Sequence, residues 1–450
     1  MLVSNKTIAL NVFGLLLIKA ISMIVSLATI PALLAYFGGD KKVLGIWLTF
    51  FTFVTIAISL DLGVGNRLKN DILSRVSTGK DYSDLIADSF RAQIFVAILV
   101  VILGMGGGLV FWCVHGDGDS AEIGRIFLQS PELLVYAVGF ILISMPLRLS
   151  CFILQAQQKN AISSFVVLVP QLAVLFYAII SIRATCLALT LPALASVLFV
   201  ATLAAYFFSF WFVCRVGVFF EFFFKNKDRL GVLVKTQVKR LKPGLPFFFV
   251  QVSIIFLYSS NELYYFAVGN VVDVVNYQYY FRPLSLFSVG FSIISLPFWS
   301  AIRLSQLQQN TRRTRYLMAA IVLMNVVVII ALVPTAIFFQ SIVDVWLGGG
   351  VYTVENSLLV VFVVSTLLTC IMHALSSILS GYDLIAFQAG ALGGGVVVKA
   401  LLLTALVVSG TTADSVMIST VVGLLFVVIA FSLKTCTVWR SNKTNMDPVL

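Results

Sequence analysis

Apolar runs of about twenty residues, parted by short polar breaks, fill this chain almost end to end. A run of that length crosses the hydrocarbon core of a bilayer as a helix, because every backbone amide and carbonyl there must find its partner within the segment. Composition agrees: of 450 residues, 60% are hydrophobic and 11% charged, and the mean hydropathy is +1.04. A soluble domain of this size needs far more surface charge. The chain therefore reads as an all-α polytopic membrane protein, with no stretch left over for a separate soluble domain. The first apolar run is too long for a cleavable signal and lacks a small-residue cleavage site, so it reads as the first span.

Hydropathy predicts about twelve spans, at residues 10–34, 44–65, 93–114, 133–154, 161–180, 187–213, 247–268, 274–298, 316–339, 358–379, 387–408 and 416–438. Of the 30 Lys and Arg residues, twenty-two fall in loops on one side and four (Lys41, Lys42, Arg125, Arg183) on the other. Cytoplasmic loops carry such an excess. Both termini are therefore expected in the cytoplasm, and the net charge of +11 is a matter of topology, with no nucleic-acid partner implied. The outer loops are short, the longest being residues 115–131 and 340–356.

The longest basic segment, residues 215–243, divides the chain into halves 1–214 and 244–450, each of about six spans. Its FFEFFF patch suits either a helix lying in the membrane interface or a plain connector with an apolar anchor. A faint internal echo links LATIPALLAYFGGDKKVLGIW to LYSSNELYYFAVGNVVDVVNY; each carries an aromatic–Gly turn into the next span. Parallel repeats of this kind place a binding site between the halves.

Beyond Lys434, which lies at the cytoplasmic end of the twelfth span, four cations remain inside predicted spans: Lys19, Arg148, Arg282 and Lys399, against one comparably deep acid, Glu262. A charge at the bilayer centre costs roughly 2.5–3.5 kcal/mol, so such residues usually face a protein-lined cavity. A net positive interior suits an anion such as a diphosphate or an acidic sugar. The competing reading makes each cation an inter-helix tether bound to backbone carbonyls or to Glu262. For Arg148 snorkelling to the interface is also cheap, and Pro146 beside it can break the helix and free carbonyls. Glu262 and Arg282 lie at similar depth on consecutive spans, where they can pair. Glu262, Asp61 and Asp273 are the candidate ion sites. Of these, Asp61 reads as a cap at the cytoplasmic end of its span, close to Arg67, and Asp273 as part of a tight outer turn.

Around these charges runs a polar-aromatic stretch, NELYYFAVG followed by NYQYYFRP. Tyr264, Tyr265 and Gln278 are expected to line the cavity, with tyrosines stacking on sugar rings. An interfacial aromatic belt accounts for about half of the tyrosines here. Gly393–Gly395, just before Lys399, either loosens a helix or lets a neighbour pack closely. The sequence holds no paired carboxylates, Ser/His/Asp set, metal-ligand spacing or nucleotide-binding GxxxxGK loop. No enzyme chemistry and no cofactor are expected, and ATP hydrolysis is not; a proton or sodium gradient is the candidate driving force.

The stretch YFGGDKKVLGIWLTFFTFVTIAISLDLGVGNRLKNDI resembles the signature of polysaccharide-transporter membrane proteins. Its "G-[ILV]-W" is Gly45, Ile46 and Trp47, and its "D-L-G-[ILV]-G" is Asp61 to Gly65. LQAQQKN after the fourth span and VDVWLGGG before the tenth agree. Within that group the chain is most similar to bacterial O-antigen flippases, of the multidrug/oligosaccharidyl-lipid/polysaccharide exporter superfamily. The resemblance implies two six-helix bundles forming a V around a cationic cavity with alternating access. It implies transfer of undecaprenyl-diphosphate-linked oligosaccharide from the cytoplasmic to the periplasmic leaflet of the bacterial inner membrane. It also brings the O-antigen polymerase and chain-length regulator as partners. The alternatives are a capsule or exopolysaccharide exporter, a cation-coupled drug exporter, which would want an acidic cavity, and an integral-membrane O-antigen polymerase, which would want a large outer loop.

Overall fold

Each apolar run of the sequence becomes a helix in the computed structural model, which describes residues 5–77, 80–114, 131–157, 159–184, 189–213, 245–410 and 414–444. The central basic segment with its FFEFFF patch, and His115, lie outside the described residues. The helices are α1 (Asn5–Tyr36), α2 (Lys41–Ser59), α3 (Val64–Ser77), α4 (Ser83–Val114), α5 (Pro131–Gly139), α6 (Met145–Leu147), α7 (Leu149–Ala156), α8 (Asn160–Arg183) and α9 (Leu191–Val213). There follow α10 (Leu245–Ile254), α11 (Asn261–Val268), α12 (Val271–Leu307), α13 (Thr311–Ile337), α14 (Phe339–Leu347), α15 (Asn356–Gly381), α16 (Ile385–Val408) and α17 (Asp414–Thr444). Among the described residues two wider π-helical turns interrupt the series, Phe140–Ser144 between α5 and α6 and Ile255–Ser259 between α10 and α11.

Among the described residues, ten segments are long and apolar enough to cross a membrane. The predicted seventh and eighth spans take a different form. The seventh is split by its π-helical turn, and the eighth is the 37-residue α12, which carries Asp273, Arg282 and Arg303 along its length. With these, the chain is an all-α polytopic membrane protein of about twelve spans. Two short helices fall where loops were expected. α3 buries Leu68 and Ile72, one turn apart, and so packs one stripe while presenting its charges outward. α14 does the same with Phe339 and Val343.

The chain divides into two units, Met1–Phe248 and Phe249–Leu450. In the first, α1 lies against α8 through Val25, Leu168 and Leu175. A larger core of Leu68, Ile72, Val96, Met145, Leu149 and Ile153 joins α3, α4, α6 and α7. In the second, α12 packs on α15 and α13 through Phe291, Ile302, Met318 and Ile378, while α15, α16 and α17 share Leu379, Leu392, Leu424 and Phe431. The seam between α16 and α17 is set by glycine. A Cβ added to Gly423 would lie 2.8 Å from the Gly395 carbonyl oxygen and 3.1 Å from Lys399 Cβ. The close-packing role of the Gly393–Gly395 run is therefore the one realised.

Helices run unbroken through Pro31, Pro170 and Pro334. At Pro146, by contrast, the π-helical turn precedes it and α6 ends at Leu147, so the helix is reset at Arg148.

Candidate functional site

In the second unit the break between α10 and α11 organises the polar residues. The π-helical turn closes with the Ser260 amide donating to the Ile255 carbonyl at 2.9 Å. The helix restarts with the amides of Leu263 and Tyr264 donating to the Ser260 carbonyl. A wide turn followed by a restart leaves carbonyls without intrahelical partners. The Phe256 and Leu257 carbonyls accept instead from Lys399 Nζ, at 3.1 and 2.8 Å. Asn261 Oδ1 accepts from the same ammonium at 2.6 Å, and the Tyr264 ring lies beneath it at 4.3 Å. Lys399 is 2% exposed. An ammonium has three donors, and all three are taken. Of the two readings of Lys399, a charge facing the cavity or an inter-helix tether, this geometry is that of the tether, its donors all engaged by protein oxygens.

Seven residues along α12 from Val271, Gln278 sits fully buried between two charges. Its Nε2 donates to Glu262 Oε1, and Arg282 Nε donates to Gln278 Oε1 at 2.7 Å. The spacing explains the contact, since Gln278 and Arg282 are one turn apart on α12. Gln278 is therefore a bridge within a charge relay, where the sequence suggested a cavity wall. Tyr265 is likewise buried, its ring 5.0 Å from that of Tyr277. Nor do the tyrosines form an interfacial belt. Tyr277, Tyr279 and Tyr280 are 3%, 0% and 0% exposed, and Tyr280 stacks between Phe339 and Phe362 while its hydroxyl accepts from the Glu355 amide. Asp273 holds the α11–α12 turn by accepting from the Asn270 amide.

Beside these groups lies a cavity of about 250 Å³, walled by Tyr258, Tyr277, Phe362, Thr369, His373 and Met417 among others. Its hydroxyl groups show a pattern. Ser285, Ser288 and Ser292 donate to carbonyls of their own helix, and so do Thr366 and Thr369. With their protons so engaged, these side chains offer oxygen lone pairs. The lining is largely apolar, with these oxygens as the points that can accept from a ligand's donors. These serines and threonines were not singled out from the sequence, because a hydroxyl in an apolar span ordinarily bonds back to its own helix. Their convergence on one cavity emerges only when α12 and α15 pack.

The first unit holds the remaining candidates. Arg148 donates to the Ile58 carbonyl at 2.9 Å and lies 5.8 Å from the Phe152 ring centroid. Its charge also reaches Asp61. Asp61 lies past the end of α2 and caps the first turn of α3, accepting from the Gly63 and Gly65 amides at 3.0 and 3.2 Å. Burial pushes its carboxyl up, opposed by Arg148 and by those amides. The expected neighbour Arg67 pairs instead with Asp71, at 3.4 Å. Lys19 is half-buried on α1 and has no hydrogen-bond or ion-pair partner among the described residues.

No protein-family model matches the sequence, and no curated protein does. The fold itself is that of transporters of the MOP superfamily. An inward-facing multidrug resistance MATE family transporter of that superfamily superposes with a TM-score of 0.70 at 13% identity, over 95% of this chain and 99% of its own. The lipid II flippase MurJ, in an inward closed conformation, gives 0.66 at 14% identity over 93% and 86%. A MOP superfamily transporter from Pyrococcus furiosus, described as having a binding pocket of reverse polarity that suggests a different function, gives 0.58 at 16% identity over 96% of both chains.

Proposed function

We propose that this protein is a flippase that carries an undecaprenyl-diphosphate-linked O-antigen oligosaccharide from the cytoplasmic to the periplasmic leaflet of the bacterial inner membrane. The observation that carries the reading is the excess of fixed cations over acids within its membrane helices. Lys399 is spoken for, and Glu262 is bridged to Arg282 through Gln278. The remaining cations, Lys19 and Arg148, both half-buried, in the first unit and Arg282 in the second, are each assigned to contact with the anionic headgroup during transfer. A fold shared with a lipid II flippase supports a lipid-linked substrate. The acceptor oxygens of the cavity support a cargo bearing hydroxyl donors, as sugars do. The chemistry assigned is binding and release, with an ion gradient as the energy source, Glu262 or Asp61 as its site, and the O-antigen polymerase and chain-length regulator downstream.

The test is complementation of a flippase-deficient bacterium supplied with the matching lipid-linked sugar pathway. Surface polysaccharide is read on a gel and protein level by blot. Wild type is expected to restore it, and Lys19→Ala, Arg148→Ala and Arg282→Ala to lose it at equal protein level. Restoration by all three variants would remove the cationic path. Failure of wild type, with drug tolerance gained instead, would point to a multidrug exporter; restoration of a capsule alone would move the cargo to another polysaccharide.

A further inference from the structure

The surroundings of Lys399 are those of a metal cation, with an ammonium in its place. Two backbone carbonyls and one amide oxygen converge within 2.6–3.1 Å of a single charged atom, and an aromatic face closes a fourth side. Carbonyl oxygens arranged in this way replace the hydration shell of a monovalent ion. The cage is built from three elements. The π-helical turn aims the Phe256 and Leu257 carbonyls, and α11 supplies Asn261 and Tyr264. α17 fixes Asn261 from behind, Thr420 donating to its Oδ1 at 3.1 Å while its amide nitrogen approaches Met417 Sδ at 3.4 Å. The Gly395–Gly423 approach presses α17 against α16 one turn below Lys399. No side-chain acid contributes, so the cage is neutral and the lysine supplies the only full charge.

We propose that this is a monovalent-cation site, permanently filled by the Lys399 ammonium as a covalently attached ion that ties α16 to the break between α10 and α11. Potassium and ammonium are alike in size and take oxygen ligands at similar distances. The site vacated by truncating Lys399 therefore accepts either, and the intact protein needs neither at this position. This inference concerns the unit's own stability and stands apart from the identity of the transported molecule.

The experiment uses the full-length protein purified in detergent. Melting is followed by tryptophan fluorescence in potassium, ammonium, sodium or choline chloride at equal ionic strength. Wild type is expected to melt at the same temperature in potassium and in choline. Lys399→Ala opens the cage; it should melt below wild type in choline and gain about 3 °C or more, saturably, in potassium or ammonium. Lys399→Met fills the same space without charge; it should be destabilised and indifferent to the salt. A Lys399→Ala protein that matches wild type in choline, or that responds to no cation, would overturn the proposal. So would an equal response from Lys399→Met, which would mean that the ions act elsewhere. Should Lys399→Ala not accumulate, Asn261→Leu removes one oxygen and leaves the ammonium in place. Its effect is expected to be less than additive with that of Lys399→Met; strict additivity would show that the oxygen and the ammonium do not act together and would overturn the proposal.

Discussion

Leaving a buried polar group unmet is costly in a membrane helix, and Gln278 shows how one amide can serve two neighbours. Its amide turns a donor to Glu262 and an acceptor to Arg282, so one neutral group serves two charges. Gln278→Leu removes both contacts and should cost about 1–3 kcal/mol, measured as a lower melting temperature. Gln278→Glu should cost more, since it sets a second carboxylate against Glu262. Asp61→Ala should cost a similar amount by releasing the Gly63 and Gly65 amides at the start of α3. At this scale the sequence was partly legible. Asp61 reads as a cap on the end of its own span, and it caps the start of α3 instead. Glu262 and Arg282 were recognisable as neighbours in depth. What escaped was the mediator between them, because Gln278 reads as one polar residue among several in NYQYYFRP until α11 packs on α12. For Lys399 the sequence offered both a charge facing a cavity and a tether bound to backbone carbonyls, without deciding between them. Its partners are backbone carbonyls, which carry no signature in a sequence.

Among the elements, the apolar spans were read directly from length and hydropathy. The misplacements share one cause. Helices continue past the hydrocarbon wherever polar residues still favour helix, so α4 begins at Ser83 and α12 runs to Leu307. Short amphipathic helices such as α3 and α14 fall below a twenty-residue window altogether. The two π-helical turns were not predicted as such; only Pro146 hinted at one of them. The glycine seam permits a sharp comparison. Gly423→Ala places a methyl against the Gly395 carbonyl and should destabilise by about 1–3 kcal/mol. Gly390→Ala, on the same α16 but with nothing within 4 Å, should be neutral or stabilising by up to about 1 kcal/mol. Paired melting curves of the two variants decide whether the approach of α16 and α17 is as tight as described. Within the cavity, Thr369→Val and Ser288→Ala each delete one lone-pair donor while nearly keeping shape. Transport of a sugar-bearing substrate is expected to fall several-fold in the pair, with melting within about 0.5 kcal/mol of wild type.

At the level of the whole molecule, contacts within each unit respect the sidedness inferred from charge. Arg303 pairs with Asp383 at 3.1 Å, joining two turns both assigned to the basic side. Tyr36 donates to the Thr190 carbonyl, and the Tyr280 hydroxyl meets the Glu355 amide; each joins segments assigned to the outer side. One span too many or too few between the two members of such a pair would have set them on opposite faces. A reporter fused after Leu450 that is active only in the cytoplasm should therefore be active, and one active only outside should be silent. The seam between α16 and α17 has a mechanical meaning as well. Where backbone meets backbone there are no rotamers to absorb sliding, so the two helices are expected to move as a single strut, against which the wide turn at Ile255–Ser259 is the place for a hinge. Lys399 is the bolt between strut and hinge.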